Sequence, residues 1–296
     1  MCIRDSFTPF RAPTDNDAHS PLVLGKQNWF TKQYDHPKRT CLEVRQGNGV
    51  EEPSLTYTTA YQTEKDSFYV TVGLWQAGQN RIFIDCNVQS PADMLSPGRI
   101  GMTAILPVRF TAMKWYGKGP LETYPDRQCG GRMGVYSEDV RNQPFYLRPQ
   151  EYGLHTESRS MRLTDPDRAD FVRFEAACPM AMSAVPYSDL QLWNARHPFE
   201  LPAPEALYVH LDYAHRGLGN SSCGPDVLPT YCIDDRPCRF GFALEAGLGE
   251  REDNPFGPIP EEIPAYHPWK AVGEQDRTPS YRDPSDPDQR SNAGMV

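Results

Sequence analysis

The sequence predicts an all-β protein built from antiparallel strands, and three observations lead to this expectation. Two neighbouring segments, 67–77 and 81–89, alternate apolar and polar residues with the period of two that is typical of half-buried strands. The link between them, residues 77–80 with sequence AGQN, is short enough for a hairpin. Only one segment carries a clear helix signal, so we expect the strands to pack as an antiparallel sandwich.

The other strand candidates follow in chain order. Residues 7–40 are rich in Pro, Asp, Asn and Thr and are expected to be irregular, and strand character starts at Leu55. Later segments are enriched in β-branched and aromatic residues, which favour a pleated, half-buried surface. These further candidates are residues 100–106, 109–115, 171–177, 207–215 and 239–245.

One short helix is expected. Ser188 and Gln191 have the spacing of a capping box, and Tyr187 and Leu192 have the spacing of a hydrophobic staple. The predicted helix runs to about Arg196 and ends before the next proline. It decorates the sheet and belongs to no internal repeat.

Composition excludes several classes of protein. The chain has 296 residues and a formal net charge of -9, which argues against nucleic acid as a partner because nucleic-acid binding usually needs a basic face. No segment approaches the roughly 20 apolar residues of a membrane span. The eight cysteines form no C-x-x-C pair, which favours a reducing, cytoplasmic compartment over a disulfide framework or a zinc ribbon. Cys86 and Cys178 lie in apolar strand-like runs and are expected to be buried.

Both ends of the chain differ from its centre. Residues 1–6, MCIRDS, match the translation of a transposon adapter used in sequencing libraries, so we exclude them from the domain. On this interpretation the chain is the tail of a longer polypeptide. Residues 248–296 are rich in proline and acidic residues, lack strand periodicity and are expected to be disordered. The domain is therefore expected to cover residues 7–247.

Five segments in order along the chain resemble a known family. They are FRAPTDND (10–17), WYGKGP (115–120), ETYPDR (122–127), RPQEYG (148–153), and HLDY (210–213) continuing to GLGNSSCGP (217–225). Together they resemble the C-terminal domain of the large β-galactosidases of glycoside hydrolase family 2. The resemblance implies a large two-sheet supersandwich, similar to the fold of galactose mutarotases.

The resemblance also implies where the chemistry lies. Retaining glycosidases use two carboxyl groups about 5 Å apart, one as acid/base and one as nucleophile. In the family both glutamates lie on an upstream barrel domain, together with the sites for Mg²⁺ and a monovalent cation. The expectation is therefore a fragment with no catalytic residue and no bound cofactor of its own. Its parent would hydrolyse terminal β-galactosides and form a homo-oligomer.

The loop 217–225 is the predicted substrate contact of this chain. In some family members a tryptophan at the position of Cys223 stacks on the leaving-group sugar, whereas others carry Ser-Cys-Gly-Pro as here. Asn220, Ser222 and Cys223 are the resulting candidate substrate-binding residues. A surface loop shaped by Gly and Pro is the alternative.

Other residues are expected to support the active-site rim. Asp15 and Asp17 resemble a carboxylate pair but are better interpreted as turn-forming residues, with Arg11 in contact with one of them. Arg127 is expected to neutralise a carboxylate, and Arg148 to pair with Glu151. The full set of predicted rim residues is Arg11, Asp15, Asn16, Asp17, Glu122, Tyr124, Asp126, Arg127, Arg148 and Glu151. The family usually has Glu-Asn-Gly where this chain has EYG at 151–153.

Segment 115–120 contains two glycines but lacks the phosphate-binding G-x-x-x-x-G-K-S/T pattern. We expect the glycines to allow a tight exit from a strand that ends at Trp115. Trp115 and Tyr116 are candidates for stacking on a sugar, although a core role is the commoner fate of such residues.

Two alternatives remain open at this point. The chain could be a carbohydrate-binding or assembly module without catalysis. It could also be an enzyme similar to aldose 1-epimerases, which need an acid and a base on opposite sides of the sugar ring. His155, His210 or His215 with Glu151 are the candidates for that chemistry, although no epimerase motif surrounds them.

Overall fold

The computed structural model describes residues 6–77, 79–143, 146–219 and 226–249. Within those ranges the chain forms twelve strands and three short α-helices. The strands are β1 (Ser6–Thr8), β2 (Lys38–Gln46), β3 (Leu55–Gln62), β4 (Ser67–Gln76), β5 (Arg81–Gln89), β6 (Arg99–Pro107), β7 (Ala112–Gly119), β8 (Arg132–Asp139), β9 (His155–Thr164), β10 (Phe171–Val185), β11 (Ala206–His215) and β12 (Cys238–Gly247). The helices are α1 (Asp15–Ala18), α2 (Pro21–Leu24) and α3 (Asp189–Asn194).

All strand pairs are antiparallel, which confirms the predicted fold class. The main path runs β1-β6-β11-β10-β12-β5-β4-β3-β2, and β9 joins β10 to a side ribbon of β7 and β8. The 15-residue strand β10 connects the two halves of the sheet. Its residues 171–176 pair with β12 and its residues 181–185 pair with β11.

The two halves of the sheet enclose the largest of three buried hydrophobic clusters in the described residues. Val70 and Cys86 from β4 and β5 belong to the same buried cluster as Leu106 and Val209 from β6 and β11. Because side chains alternate along a strand, each half directs one face toward this core. Cys86 is fully buried as predicted, and Cys178 is half-buried.

Most predicted strands are confirmed. Strands β4 and β5 form the expected hairpin, with Gln76 opposite Ile82 and Tyr69 opposite Gln89. Segments 100–106, 171–177, 207–215 and 239–245 fall within or overlap β6, β10, β11 and β12. β1 begins at Ser6, one residue before the predicted start of the domain.

Four strands were not predicted. The three-residue strand β1 lies at the start of the segment that was expected to be irregular, and the other three lack a clear apolar alternation for a physical reason. β2 is exposed along almost its whole length, so neither face is apolar. β8 has no buried residue, with four exposed and four half-buried positions. β9 is buried on both faces but fills its buried positions with polar residues such as His155, Ser158 and Arg162, which obscures the apolar alternation.

The predicted helix is found at the expected position, but two further helices were not predicted. α3 begins after Ser188, whose hydroxyl accepts from the backbone of Gln191 while the Gln191 side chain accepts from the backbone of Ser188. The expectation of one helix and an irregular stretch over 7–40 is wrong, because α1 and α2 lie there. Each has four residues, and their N-caps are Thr14 and Ser20. None of the helices in the described ranges is long and apolar enough to cross a membrane.

The segment 115–120 differs from the prediction. β7 runs to Gly119, so Gly117 lies within the strand instead of after it. A Cβ at Gly117 would lie 2.7 Å from the Ser158 hydroxyl, and one at Gly119 would lie 2.5 Å from the Tyr136 ring. These glycines therefore allow close packing against neighbouring strands, and the strand ends at the cis peptide before Pro120.

Candidate functional site

Several of the predicted rim segments meet in one connected cluster of contacts, where Arg11 is a central link. The Arg11 guanidinium is fully buried and donates to both carboxylate oxygens of Asp17, at 2.8 Å to Oδ2 and 3.1 Å to Oδ1. It also donates to the carbonyl of Arg216 at 2.5 Å and to that of Gly217 at 2.8 Å. The predicted contact between Arg11 and one of the two aspartates is confirmed, and it ties the N-terminal segment to the end of β11.

Asp15 and Asp17 have different partners, so they do not act as a carboxylate pair. Asp17 closes the capping box of α1 by accepting from the backbone of Thr14 at 3.0 Å. Asp15 is half-buried and is held by Gln150, which accepts from the Asp15 backbone at 3.0 Å and donates to its carboxylate at 3.1 Å. Asn16 is buried, and its side-chain amide lies where a Cβ at Gly219 would be.

Asp126 holds the backbone that follows the Arg11 contacts. Its Oδ1 accepts from the backbone of Leu218 at 2.9 Å, and its Oδ2 accepts from the backbone of Gly219 at 2.7 Å. Side chains from distant segments thus bind four consecutive backbone residues, 216–219. We call this arrangement, made by Arg11 and Asp126 on residues 216–219, the backbone clamp.

Glu122 and Arg127 form the expected ion pair at the surface beside the clamp. Arg127 also donates to the Tyr146 hydroxyl at 2.8 Å, and that hydroxyl donates to Glu122 at 2.5 Å. The second Glu122 oxygen accepts from the Gly153 backbone at 2.7 Å. Burial and the Glu122 carboxylate raise the pKa of Tyr146 to about 12, so the phenol stays protonated.

Arg99, at the start of β6, organises the deepest part of the site. Its fully buried guanidinium lies 2.5 Å from Glu151, 3.1 Å from Asp189 and 3.8 Å from Asp212. The predicted pairing of Arg148 with Glu151 is wrong, because Arg148 lies over the Trp193 ring, 5.6 Å from its centroid. Arg99 takes that role since β6 brings it into the core beside segment 148–153.

The buried carboxyls around Arg99 have widely separated pKa values. Burial alone would raise the pKa of Glu151, but Arg99 and His215 together lower it to about 2. Burial raises the pKa of Asp189 to about 6, although Arg99 opposes this rise. Burial raises the pKa of Asp212 to about 8, and the nearby Glu151 charge adds to the effect. At neutral pH Glu151 is therefore ionised and Asp189 mostly so, which gives Arg99 two charged partners, while Asp212 is mainly protonated.

Tyr124 belongs to the same buried region. Its side chain is fully buried and packs edge-on against His215, with ring centroids 5.4 Å apart. Burial and then the Glu151 and Glu122 charges raise the pKa of its phenol. Tyr124 thus contributes packing to this buried region.

The three candidate histidines are buried at separate places. His215 Nε2 lies 3.6 Å from Glu151, and 3.0 Å separates His210 Nδ1 from the Thr103 hydroxyl. Burial lowers the pKa of both rings, so they stay neutral at neutral pH. His155 stacks on Trp115 with centroids 3.9 Å apart, and Trp115 is itself only 1% exposed. Trp115 is therefore a core residue of this chain and not an accessible sugar platform.

Some predicted residues lie outside the described part of the chain. Asn220, Ser222 and Cys223 are among them, so their substrate contacts stay predictions. Most of the predicted tail, from residue 250 onward, and most of the predicted adapter, residues 1–5, also lie outside. Within the described ranges no cluster of three or more His, Cys, Asp or Glu side chains is arranged to hold a metal ion.

Sequence reasoning missed Arg99, Asp189 and Asp212. Asp189 also accepts from the Ala12 backbone at 3.0 Å, so it links α3 to the N-terminal segment. The available signal was an arginine and an aspartate at or within apolar strand segments, since a charge buried there needs a partner. Which charges pair could not be read from spacing, because the partners are 50 or more residues apart in most cases.

The fold and site define a mostly β domain, built on a curled antiparallel sheet, whose buried charges bind one another and the backbone. The chain matches the family described as "Beta galactosidase small chain" over residues 2–244, and it belongs to that family.

Curated relatives are much longer than the matched segment. The β-galactosidase of Staphylococcus xylosus is 27% identical over 241 residues, covering 80% of this chain and 23% of the relative. The β-galactosidase BgaC of Bifidobacterium adolescentis is 31% identical over 220 residues, covering 73% of this chain and 21% of the relative. The chain thus spans less than a quarter of the length of these relatives.

Similar solved structures include sugar-active enzymes. A putative aldose 1-epimerase from Escherichia coli K12 has a TM-score of 0.38 at 9% identity, covering 71% of this chain and 69% of that one. A glycoside hydrolase family 97 enzyme from Pseudoalteromonas sp. strain K8 has a TM-score of 0.36 at 9% identity, covering 71% and 28%. The all-β architecture is assigned from the strand pairing of this chain and not from these similarities.

Proposed function

We propose that this chain is the C-terminal domain of an enzyme that hydrolyses terminal β-galactosides, and that it completes the rim of an active site carried elsewhere. The observation that carries the proposal is the family match over residues 2–244, together with relatives that are named β-galactosidases and are about four times longer than the match. The two catalytic glutamates and the sites for Mg²⁺ and a monovalent cation are assigned to an upstream barrel, on the resemblance to the family.

The state of the carboxylates supports a non-catalytic role for this chain. A retaining glycosidase needs two carboxyls about 5–5.5 Å apart that both reach the substrate. Asp17 and Glu151 are bound by buried arginines, and Asp126 is occupied by two backbone amides. Each of these carboxylates is engaged in holding the fold, so none is poised as a nucleophile.

The backbone clamp supports the proposed rim role. Arg11 and Asp126 fix residues 216–219, which lead directly into the segment that contains Asn220, Ser222 and Cys223. We assign to these three residues the contacts with the leaving-group side of the substrate.

A chimera tests this proposal. Residues 7–247 would replace the matching segment of the Bifidobacterium adolescentis relative, and hydrolysis of o-nitrophenyl β-galactoside would be measured. We expect saturable turnover by the chimera and none by the isolated 296-residue chain. Turnover by the isolated chain would overturn the assignment of catalysis to the barrel, and a folded but inactive chimera would contradict the completion of the active site.

Epimerase chemistry is the less favoured function. His155, His210, His215 and Glu151 are each less than 5% exposed, so a sugar could not reach them without opening the core. Polarimetry of galactose mutarotation measures this activity, and we expect only the uncatalysed rate.

A further inference from the structure

Three strands form the edges of the sheet in the described part of the chain. β1 and β2 end the main path, and β8 ends the side ribbon because it pairs only with β7. The outer side of an edge strand presents backbone groups that can pair with another strand. Proteins protect such edges with short strands, bulges, prolines or charged side chains, so an unprotected edge marks a place where another strand can join.

Two of the three edges are protected. β1 has only three residues. β2 carries the positive side chains of Lys38, Arg39 and Arg45, and its register with β3 shifts between Cys41 and Glu43. A shifted register and a group of like charges both oppose the addition of a further strand.

β8 lacks these protections. It has eight residues, contains neither proline nor lysine, and keeps an uninterrupted register with β7 from Arg132 opposite Gly119 to Asp139 opposite Ala112. Its charged residues lie at its two ends, so the central segment MGVYS is uncharged. Of the three edges, β8 is therefore the one best suited to pairing with another strand.

One face of β8 carries two exposed apolar side chains. Met133 is 44% exposed and Val135 is 39% exposed. Tyr136 lies opposite the core residue Trp115 of β7, so the alternate residues Met133 and Val135 point away from the core. A strand added at this edge would cover part of both apolar side chains.

The charges of β8 match those of a second copy of the same strand. When two β8 strands pair antiparallel with Val135 at the two-fold axis, Met133 lies opposite the second copy's Ser137, and Arg132 lies opposite its Glu138. The symmetry gives two such Arg–Glu pairs and places no like charges opposite each other. Opposite charges in such positions stabilise a strand pair, whereas like charges destabilise it.

Both charged groups are available for this pairing. Arg132 is exposed and has no ion pair or side-chain hydrogen bond with any described residue. Glu138 is half-buried, and Gln143 and His155 both approach its Oε1, at 2.8 and 3.5 Å. The Oε2 of Glu138 has no partner within the described ranges, so it can accept from the Arg132 of a second copy.

We propose that two copies of this chain associate by antiparallel pairing of their β8 strands around Val135, which joins their sheets into one continuous sheet. The contact consists of one strand pair and its flanking side chains. It is therefore a small interface, and we expect a dissociation constant of about micromolar order. The pairing needs neither a substrate nor an upstream domain, so it does not depend on the proposed hydrolysis.

Sedimentation velocity of the full chain from about 1 to about 100 μM tests the association. We expect the sedimentation coefficient to rise with concentration as monomers form dimers. Val135→Lys places two positive charges opposite each other at the axis and should raise the dissociation constant at least about tenfold. Val44→Lys is the matched control, because it makes the same change at a 61% exposed position on β2, and its effect should be less than about twofold.

A second pair of variants tests the charge match. Arg132→Glu places like charges opposite each other twice and should also raise the dissociation constant about tenfold. Arg132→Lys keeps the positive charge and should change it less than about threefold. Arg132 is exposed, so both variants should fold, and thermal unfolding checks this for every variant.

Disulfide cross-linking with oxidised glutathione tests the register. In Val135→Cys the two thiols lie opposite each other at the axis, which is within the range of a disulfide. In Ser137→Cys each thiol lies opposite the second copy's Met133, and the two thiols are roughly 13 Å apart along the strands. We expect only Val135→Cys to exceed the wild-type level of cross-linked dimer, to which the exposed Cys41 and Cys129 contribute in every variant.

Three results would overturn the proposal. They are a monomer over the whole concentration range, a dimer that folded Val135→Lys leaves unchanged, and equal cross-linking of the two cysteine variants. Slow hydrogen exchange at every β8 amide of a monomeric chain would assign the edge to another segment of the same chain instead.

Discussion

Asp212 offers the sharpest test of the buried network. Its carboxyl is fully buried, with Oδ2 3.8 Å from Arg99 Nη1 and Oδ1 in the space that a side chain at Gly101 would fill. Burial raises its pKa from 3.8 to about 8. Asp212→Asn replaces a protonated carboxyl with a neutral group of nearly the same shape, so the variant should fold and should lose the titration.

The size of the effect follows from proton linkage. The folded-state pKa of Asp212 lies above its unfolded value, so between about pH 4 and pH 8 the folded chain holds a proton that the unfolded chain has lost. This group therefore lowers the free energy of unfolding as pH rises through that window, by about 1.4 kcal/mol per pH unit. From pH 5 to pH 7 the wild-type chain should lose about 3 kcal/mol more than Asp212→Asn.

Urea unfolding at pH 5, 6 and 7 measures the difference. Asp167→Asn is the matched control, because it makes the same substitution at an exposed aspartate. At pH 7 Asp212→Asn should be more stable than wild type. Parallel stability curves for wild type and Asp212→Asn over this range would refute the assignment of a buried, protonated Asp212.

Three further predictions concern the network and its surroundings. Glu151→Gln removes one of the two ionised partners of the buried Arg99 charge, with Asp189 remaining, and should lower the free energy of unfolding by about 3 kcal/mol, the lower end of the range for a broken buried pair; a loss below about 1 kcal/mol, typical of an exposed pair, would contradict this. Asp126→Ala removes an acceptor of the clamp and should speed hydrogen exchange at the Gly219 amide about tenfold or more, whereas unchanged protection would rule out the contact. Ser188→Ala should cost about 1 kcal/mol in urea unfolding through loss of the α3 cap, and no loss would show that the cap is unimportant.

Structural features that depend on residues close in sequence could be predicted from the sequence. The β4–β5 hairpin could be predicted because one face of each strand is apolar. The start of α3 could be predicted because capping acts over three residues. The strand β9 could not be predicted, since polar side chains such as Ser158 occupy its buried positions.

The contacts of the candidate site could be predicted from the sequence only in part. The Arg11–Asp17 contact joins residues six apart, so it could be predicted from sequence proximity. The partner of Glu151 could not, because Arg99 is 52 residues away and only the strand order brings them together. Arg148 is closer to Glu151 in sequence and was predicted to be its partner, but it stacks on Trp193 instead.

The central claim is that this domain supplies no nucleophile of its own to β-galactoside hydrolysis. Incubation of the chimera with an activated 2-deoxy-2-fluoro-galactoside would trap the glycosyl–enzyme intermediate of a retaining enzyme, and peptide mass spectrometry would locate it. We predict a label on a carboxylate of the barrel segment and none within residues 7–247. A label on any aspartate or glutamate of residues 7–247 would contradict the account.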